Sequence, residues 1–232
     1  MNAVRLVGVT ESKIPEVPTV NDMLAYIARV SNPSNQLNTE TAPKLLKYLV
    51  KNQHWSPFEM AHMVVEINTT RDIARQILRH RSFSFQEFSQ RYARADDLGF
   101  EIREARMQDL KNRQASLETD DKELVEVWEA QQQDVLRVVK RAYTWALTNG
   151  IAKEQARAVL PEGLTHSRLY MAGSVRSWIH YCMLRTDMGT QKEHREVAQA
   201  CLDILLGEFP ALKDVLHNEN LSEQLQSTGS NT

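Results

Sequence analysis

The chain has 232 residues, 42% of them hydrophobic and 25% charged, the profile of a soluble globular protein of one domain or two small ones. Its formal net charge of -2 gives no reason to expect a polyanion or an anionic membrane surface as partner. Its 8 glycines are scattered so that neither G-x-G-x-x-G nor G-x-x-x-x-G-K-[ST] can be written, which excludes a dinucleotide fingerprint and a phosphate loop in their usual forms.

The first residues, Met1-Asn2-Ala3-Val4-Arg5-Leu6, are apolar only briefly and lack a signal-peptide core. Residues 19–29 predict a short helix with Met23, Leu24, Ile27 and Ala28 on one face. Turn chemistry follows at Asn32-Pro33-Ser34-Asn35, then a helix over residues 43–53 with Leu45, Leu46 and Leu49 inward. Ser56-Pro57 breaks the chain, and residues 61–69 alternate as a strand, with Met63, Val65 and Ile67 on one side. Thr70 caps a helix over 71–79 whose Arg71, Arg75 and Arg79 align at a spacing of four. Residues 82–90 carry three phenylalanines without helical period and read as a loop leading to a short strand near Arg91-Tyr92-Ala93.

The longest element is a helix over 120–149, with a capping box at Asp120-x-x-Glu123 and Gly150 as terminator. Leu124, Val127, Trp128, Val135 and Val138 form its stripe, and Trp128 and Trp145 are expected in a core or interface. Such a rod is about 45 Å long, enough to span a domain or join subunits. A short helix over 153–160 stops at Pro161, and 164–171 reads as a second strand. Ser174 caps a helix through Arg185, and Thr190-x-x-Glu193 a further one to about Leu206, ended by Gly207 and Pro210. From His217 the composition turns polar and predicts a disordered tail over 217–232. Helix outweighs strand, so the class is α+β, with a small, mostly antiparallel sheet packed with long helices.

No apolar run is long enough to cross a bilayer, and Cys182 and Cys201 read as buried free thiols, so a reducing cytoplasmic location is expected. His62, His166, His194 and His217 lack metal-ligand spacing, and no metal is expected. Chemistry concentrates where the charge does. Residues 71–94 hold six arginines and two acids, and 18 of the chain's 28 cations are arginine, whose donor fork suits phosphate and carboxylate. Arg79-His80-Arg81 crowd a helix end, and an anionic ligand would relieve their repulsion. In an extended chain Glu87, Ser89 and Arg91 would share a face and could read a pyrimidine edge and a phosphate together. A solvated helix end followed by an Arg–Glu surface pair explains the block equally well. A nucleic-acid module stacking bases on the phenylalanines is the other functional reading, although acids outnumber Lys and Arg twelve to five over 96–134 and no extended basic surface emerges.

Arg79-His80-Arg81, then Ser89 after seven residues, then Gln90-Arg91-Tyr92, resembles the signature of the flavin-dependent thymidylate synthases. Ala28-Arg29-Val30-Ser31, His54-Trp55-Ser56-Pro57-Phe58-Glu59, residues 155–161, Val175-Arg176-Ser177 and Leu184-Arg185 resemble that family's other blocks, in the same order. The resemblance implies that family's fold, with residues 1–216 as one domain, and a homotetramer with sites shared between subunits. It implies FAD as cofactor, NADPH as reductant, and transfer of a one-carbon unit from methylenetetrahydrofolate to C5 of dUMP, giving dTMP and tetrahydrofolate. By position, Ser31, His54, Ser56, Glu59, Arg79, His80, Arg81, Arg176 and His180 would contact FAD. Gln76, Glu87, Ser89, Gln90, Arg91, Arg157 and Arg185 would surround dUMP. Ser89 and Arg185 are the candidate catalytic residues, Ser89 orienting the nucleotide and Arg185 stabilising charge at the polarised uracil C4 carbonyl. The unrelated thymidylate synthases attack uracil C6 with a cysteine. Cys182 and Cys201 sit in apolar helical sequence and no Pro-Cys-His occurs, so hydride from reduced flavin, without a cysteine nucleophile, is the implied chemistry. Met60, Ser174 and Gly189 depart from that family's common histidine, asparagine and histidine. No nucleic-acid or membrane partner is implied.

Overall fold

The computed structural model describes residues 3–216 of the chain. The polar tail expected at 217–232, with His217, lies outside the described residues. In chain order the elements are β1 (Ala3–Val9), α1 (Val20–Ala28), α2 (Ala42–Lys51), β2 (His62–Thr70), α3 (Arg71–Ile77), β3 (Ser84–Glu87), β4 (Arg106–Gln108), β5 (Ser116–Glu118), α4 (Lys122–Thr148), α5 (Lys153–Ala156), β6 (His166–Ser174), α6 (Val175–Arg185), α7 (Lys192–Glu208) and α8 (Lys213–Leu216).

Four strands form an antiparallel sheet in the order β1-β2-β6-β3, and β4 and β5 form a separate hairpin. The sheet explains the alternation of β2. Met63, Val65 and Ile67 face the core and are fully buried, as are Leu169 and Met171 of β6. Helices α6 and α7 pack on each other and on this layer, with α1 and α2 beside them. Trp178 of α6 is fully buried and donates its indole N–H to the Met63 carbonyl at 3.0 Å, satisfying the one polar atom it takes inside. The opposite sheet face is polar. Arg5, Glu66 and Tyr170 stand in register across three strands, and the nearly buried Glu66 accepts from the Tyr170 hydroxyl at 2.7 Å and from Arg5 at 3.1 Å. These bonds, Tyr170 first, hold the Glu66 carboxyl below its ordinary range.

Helix α4 stands largely outside the main core. Its last turns join a small second cluster of Ala95, Tyr143, Ala146 and Ala156. There the Tyr143 hydroxyl accepts from the Ala95 backbone N–H at 3.1 Å and pins the loop that follows β3. Farther toward its start, Gln132 clamps Arg103 by accepting from its N–H and donating to its carbonyl.

Several expectations are corrected. A strand occupies Ser84–Glu87, inside the segment read as loop, and Arg91-Tyr92-Ala93 is turn, because the Ser89 carbonyl accepts from the N–H groups of Tyr92 and Ala93. The expected shared face of Glu87, Ser89 and Arg91 is therefore lost. The strand β1 was not anticipated, since Arg5 and Gly8 break its apolar pattern; the β4–β5 hairpin was also missed. The cap of α4 is Asp121, accepting from Leu124 N–H, rather than Asp120. Helix α7 begins after Gln191 without a side-chain cap, so Thr190 makes no box there, and it runs through Gly207 to Glu208 before Pro210. Leu124, Val127, Trp128, Val135 and Val138 are exposed rather than core-facing, and α4 buries Gln132, Leu136, Tyr143 and Ala146 instead.

Candidate active site

Helix α3 carries the basic block from the end of β2. Its length is shorter than the spacing of arginines suggested, so Arg71 and Arg75 lie on the helix and Arg79 beyond it. The two groups then behave differently. Arg75 grips Glu87 through both carboxylate oxygens at 3.0 Å, Arg71 stands 3.8 Å from the same carboxylate, and Ser167 of β6 donates to it at 2.8 Å. Glu87 is thus fixed to the sheet and to α3. Arg79 and Arg81 are exposed, and among the described residues neither meets a carboxylate.

His80 turns the other way, into the fold. Arg185 at the end of α6 donates from Nε to His80 Nε2 at 3.0 Å, so the imidazole is neutral and carries its proton on Nδ1. Burial, then the charges of Arg185 and Arg79, push its pKa down to about 4. The edge of the Tyr181 ring meets His80 with centroids 4.9 Å apart. Behind them, fully buried His194 contacts Gln76 Oε1 through Nδ1 and the Tyr181 hydroxyl through Nε2, both at 3.2 Å. Gln76 Nε2 donates to Gln191 Oε1 at 2.7 Å. Gln76, His80 and Arg185, taken from two sequence blocks more than a hundred residues apart, are brought together because α3 packs on α7 and α7 on α6.

A second group forms around the start of α6. Ser174 caps that helix through Ser177 N–H, and Ser177 in turn donates to the Ser82 carbonyl at 3.4 Å, tying the helix to the loop after Arg81. Arg176 pairs with Glu59 at 2.7 Å. The Ser174 hydroxyl, then Arg176, hold the Glu59 carboxyl below its ordinary range. His180 packs its ring on Trp55 at 4.7 Å, and its Nε2 is buried without a partner. His54 is exposed and meets the edge of the Tyr48 ring at 6.0 Å; Ser56 is exposed on the same turn. Ser31 lines a cavity of about 540 Å³ with Arg29, Thr41, Lys44 and Tyr48. The nearly buried Arg29 shapes that cavity by bonding Thr41 and the Asn38 carbonyl.

A third group lies at α5. Glu154 meets Arg91 at 3.3 Å, and Arg157 donates to the Glu154 carbonyl at 3.3 Å. Ser89 is exposed between these groups, whereas Gln90 is buried with its Nε2 unpartnered. The cysteines take no part. Both are fully buried, and burial pushes both thiols well above their ordinary range.

His194, Tyr181, Gln191 and Arg75 were missed as members of the site. The sequence held one usable signal: Glu193 and His194 are polar residues on the buried face of α7, where a leucine or valine is the ordinary occupant.

The model of the thymidylate synthase complementing protein family matches residues 14–211. A probable flavin-dependent thymidylate synthase of Paramecium bursaria Chlorella virus 1 is 47% identical over 212 residues, 91% of this chain and 97% of the relative. A flavin-dependent thymidylate synthase of Synechocystis is 48% identical over 216 residues, 92% and 98% of the two chains. Among solved structures, the UMP/dUMP methylase PolB of Streptomyces cacaoi, bound with 5-bromo-dUMP, superposes with a TM-score of 0.73 at 25% identity, covering 92% of this chain and 95% of that one. A match of that extent, with identity near one half along almost the whole of two relatives, makes the chain a member of the flavin-dependent thymidylate synthase family.

Proposed function

We propose that this chain methylates dUMP at C5 with methylenetetrahydrofolate as the one-carbon donor and NADPH as the reductant, releasing dTMP and tetrahydrofolate. The observation that carries the reading is the family match over residues 14–211, which takes in each assigned site residue from Ser31 to Arg185. The side chains present fit FAD. Two guanidiniums that meet no carboxylate among the described residues, Arg79 and Arg81, offer forks for its phosphates, and the unpartnered His180 Nε2 beside Trp55 offers a polar atom next to an aromatic ring. Ser31, His54, Ser56, Glu59, His80 and Arg176 complete that assignment. FAD, once reduced, supplies the hydride. The chain itself binds, orients and neutralises charge.

Gln76, Glu87, Ser89, Gln90, Arg91, Arg157 and Arg185 are assigned to dUMP. Arg185 holds its guanidinium against neutral His80, which leaves its other N–H groups to stabilise negative charge on a uracil carbonyl. Ser89 orients the nucleotide. Glu154 now occupies Arg91, so a phosphate would compete with a solvated, exposed ion pair, a small cost. Burial of both thiols supports a reaction without a cysteine nucleophile.

Residues 1–216 work as one domain, in the cytoplasm, as a homotetramer. The tetramer is supported by α4, whose Val127, Trp128, Val135, Val138 and Trp145 are exposed along one helix, an unusual amount of apolar surface for a lone protomer. Purified protein given FAD, NADPH and methylenetetrahydrofolate should release tritium from dUMP labelled at C5. Protein that takes up no flavin, or takes it up and releases no tritium, would refute the proposal.

A further inference from the structure

We propose that His194 is a positioning residue, holding the Gln76 amide in the one orientation that offers dUMP a hydrogen-bond donor. The inference rests on the dUMP reading of the site. It comes from a chain of hydrogen bonds whose direction is set at one end. Glu193 is gripped by Arg106 and stands 3.2 Å from Arg103, so its carboxylate is an acceptor only. Gln191 must then give its Nε2 to Glu193, at 2.9 Å, and turn its oxygen to Gln76. Gln76 must answer with Nε2, at 2.7 Å, which turns its own oxygen to His194. His194 must therefore carry its proton on Nδ1, and its bare Nε2 accepts from the Tyr181 hydroxyl.

Every step disfavours the flipped amide or the other tautomer, because a flip anywhere would set two donors or two acceptors against each other, and at the His194–Tyr181 end it would do so in a fully buried place. The result is that one N–H of the Gln76 Nε2 group stays uncommitted while both neighbours of the amide are held. A nucleotide presents carbonyl, ribose and phosphate oxygens as acceptors, so a fixed donor is the useful polarity. Burial, then the charges of Arg185 and His80, keep His194 neutral by pushing its pKa down to about 3. It has no charge to offer a ligand and acts only through Gln76.

The test is dUMP affinity of the FAD-loaded enzyme, read from the flavin absorbance, with flavin content and Tm measured on each variant. Gln76→Ala should weaken dUMP about tenfold, the loss of one well-placed hydrogen bond. His194→Leu should match it within about threefold, and adding it to Gln76→Ala should cost nothing more. His194→Asn, whose amide N–H can replace Nδ1–H, should restore most of the affinity. If Gln76→Ala leaves dUMP binding intact, the assignment of Gln76 fails and the inference with it. If Gln76→Ala weakens binding but His194→Leu does not, or adds its own full cost in the double variant, the positioning role alone is overturned. Should His194→Leu lose flavin or fold, Gln191→Ala decides: it cuts the link to Glu193 that sets the direction of the chain and should weaken dUMP several-fold, and an unchanged affinity would overturn the proposal.

Discussion

His80 and His194 lie side by side, their ring centroids 6.3 Å apart, and both are kept neutral mainly by burial. Their folded pKa values, about 4 and about 3, lie below the unfolded value of 6.5. The unfolded chain therefore binds protons first as pH falls. The stability these groups contribute is complete above pH 6.5 and is lost on the way down to about 3 to 4. Glu193 extends the loss: burial raises its pKa, but the Arg106 hydrogen bond, its own backbone N–H, the Arg103 charge and Gln191 outweigh it and bring it to about 2. Its contribution fades between 4.5 and about 2. Going from pH 7 to pH 5 should thus cost roughly 2 kcal/mol for fully buried His194, and less for half-buried His80, where solvent screens the charge, in urea unfolding. His194→Asn should show no more than about half the wild-type loss, and a wild-type stability that is flat over that window would contradict this account. Residue identity was legible in the sequence, yet the protonation of these two histidines was not, since desolvation depends on what α6 and α7 bring around them.

At the scale of elements, two helix ends make the same motif with different residues. After α4, Gly150 at φ 77° donates to Leu147 and Ile151 donates to Ala146. After α2, Gln53 at φ 58° donates to Val50 and His54 donates to Leu49. Both are Schellman ends with a left-handed residue, but only the first has the glycine that adopts it without strain. Gln53 holds the turn that carries His54, Trp55 and Ser56. Gln53→Gly should stabilise the protein by about 1 kcal/mol, and Gly150→Gln should destabilise it by a similar amount. Thermal unfolding of the two variants checks this, and a Gln53→Gly protein less stable than its parent would count against it. The sequence announced the end at Gly150 and was silent at Gln53. The same limit explains the misplaced caps: Asp120 and Asp121 are adjacent equals in sequence, and only the helix start picks Asp121.

For the molecule as a whole, the exposed face of α4 is the feature a single chain leaves unresolved. Trp145, Ala146, Ile151 and Val159 line a concave apolar patch of about 500 Å³ between α4 and the segment after it. Under the tetramer reading this surface is covered by another subunit, and the three side-chain groups around His80, Arg176 and Arg91 are completed across subunits. A Val138→Glu/Trp145→Glu variant, changed only at exposed positions, should sediment as a smaller species and lose flavin and activity together. The same oligomer after that change would place the subunit contact elsewhere. The sequence period of α4 marks a stripe, but periodicity states only that a stripe needs cover. It does not say whether the chain's own core or a second copy provides it.

Sequence by itself determined the α+β class, β2 and the major helices, because those follow from local periodicity and from cap, turn and breaker chemistry. It also determined the arginine-rich block and its resemblance, because a motif is a linear object. Tertiary structure decided the rest. It divided the arginines into two that lock Glu87 and two that stay free, it buried both thiols, and it assembled Tyr181, His194, Gln76, Gln191 and Glu193 into one directed chain. The physical reason is the same in each case. Partners that only the packing of separate elements brings together, Gln76 with Gln191 and His194 among them, decide burial, protonation and hydrogen-bond polarity, and no local pattern carries that information.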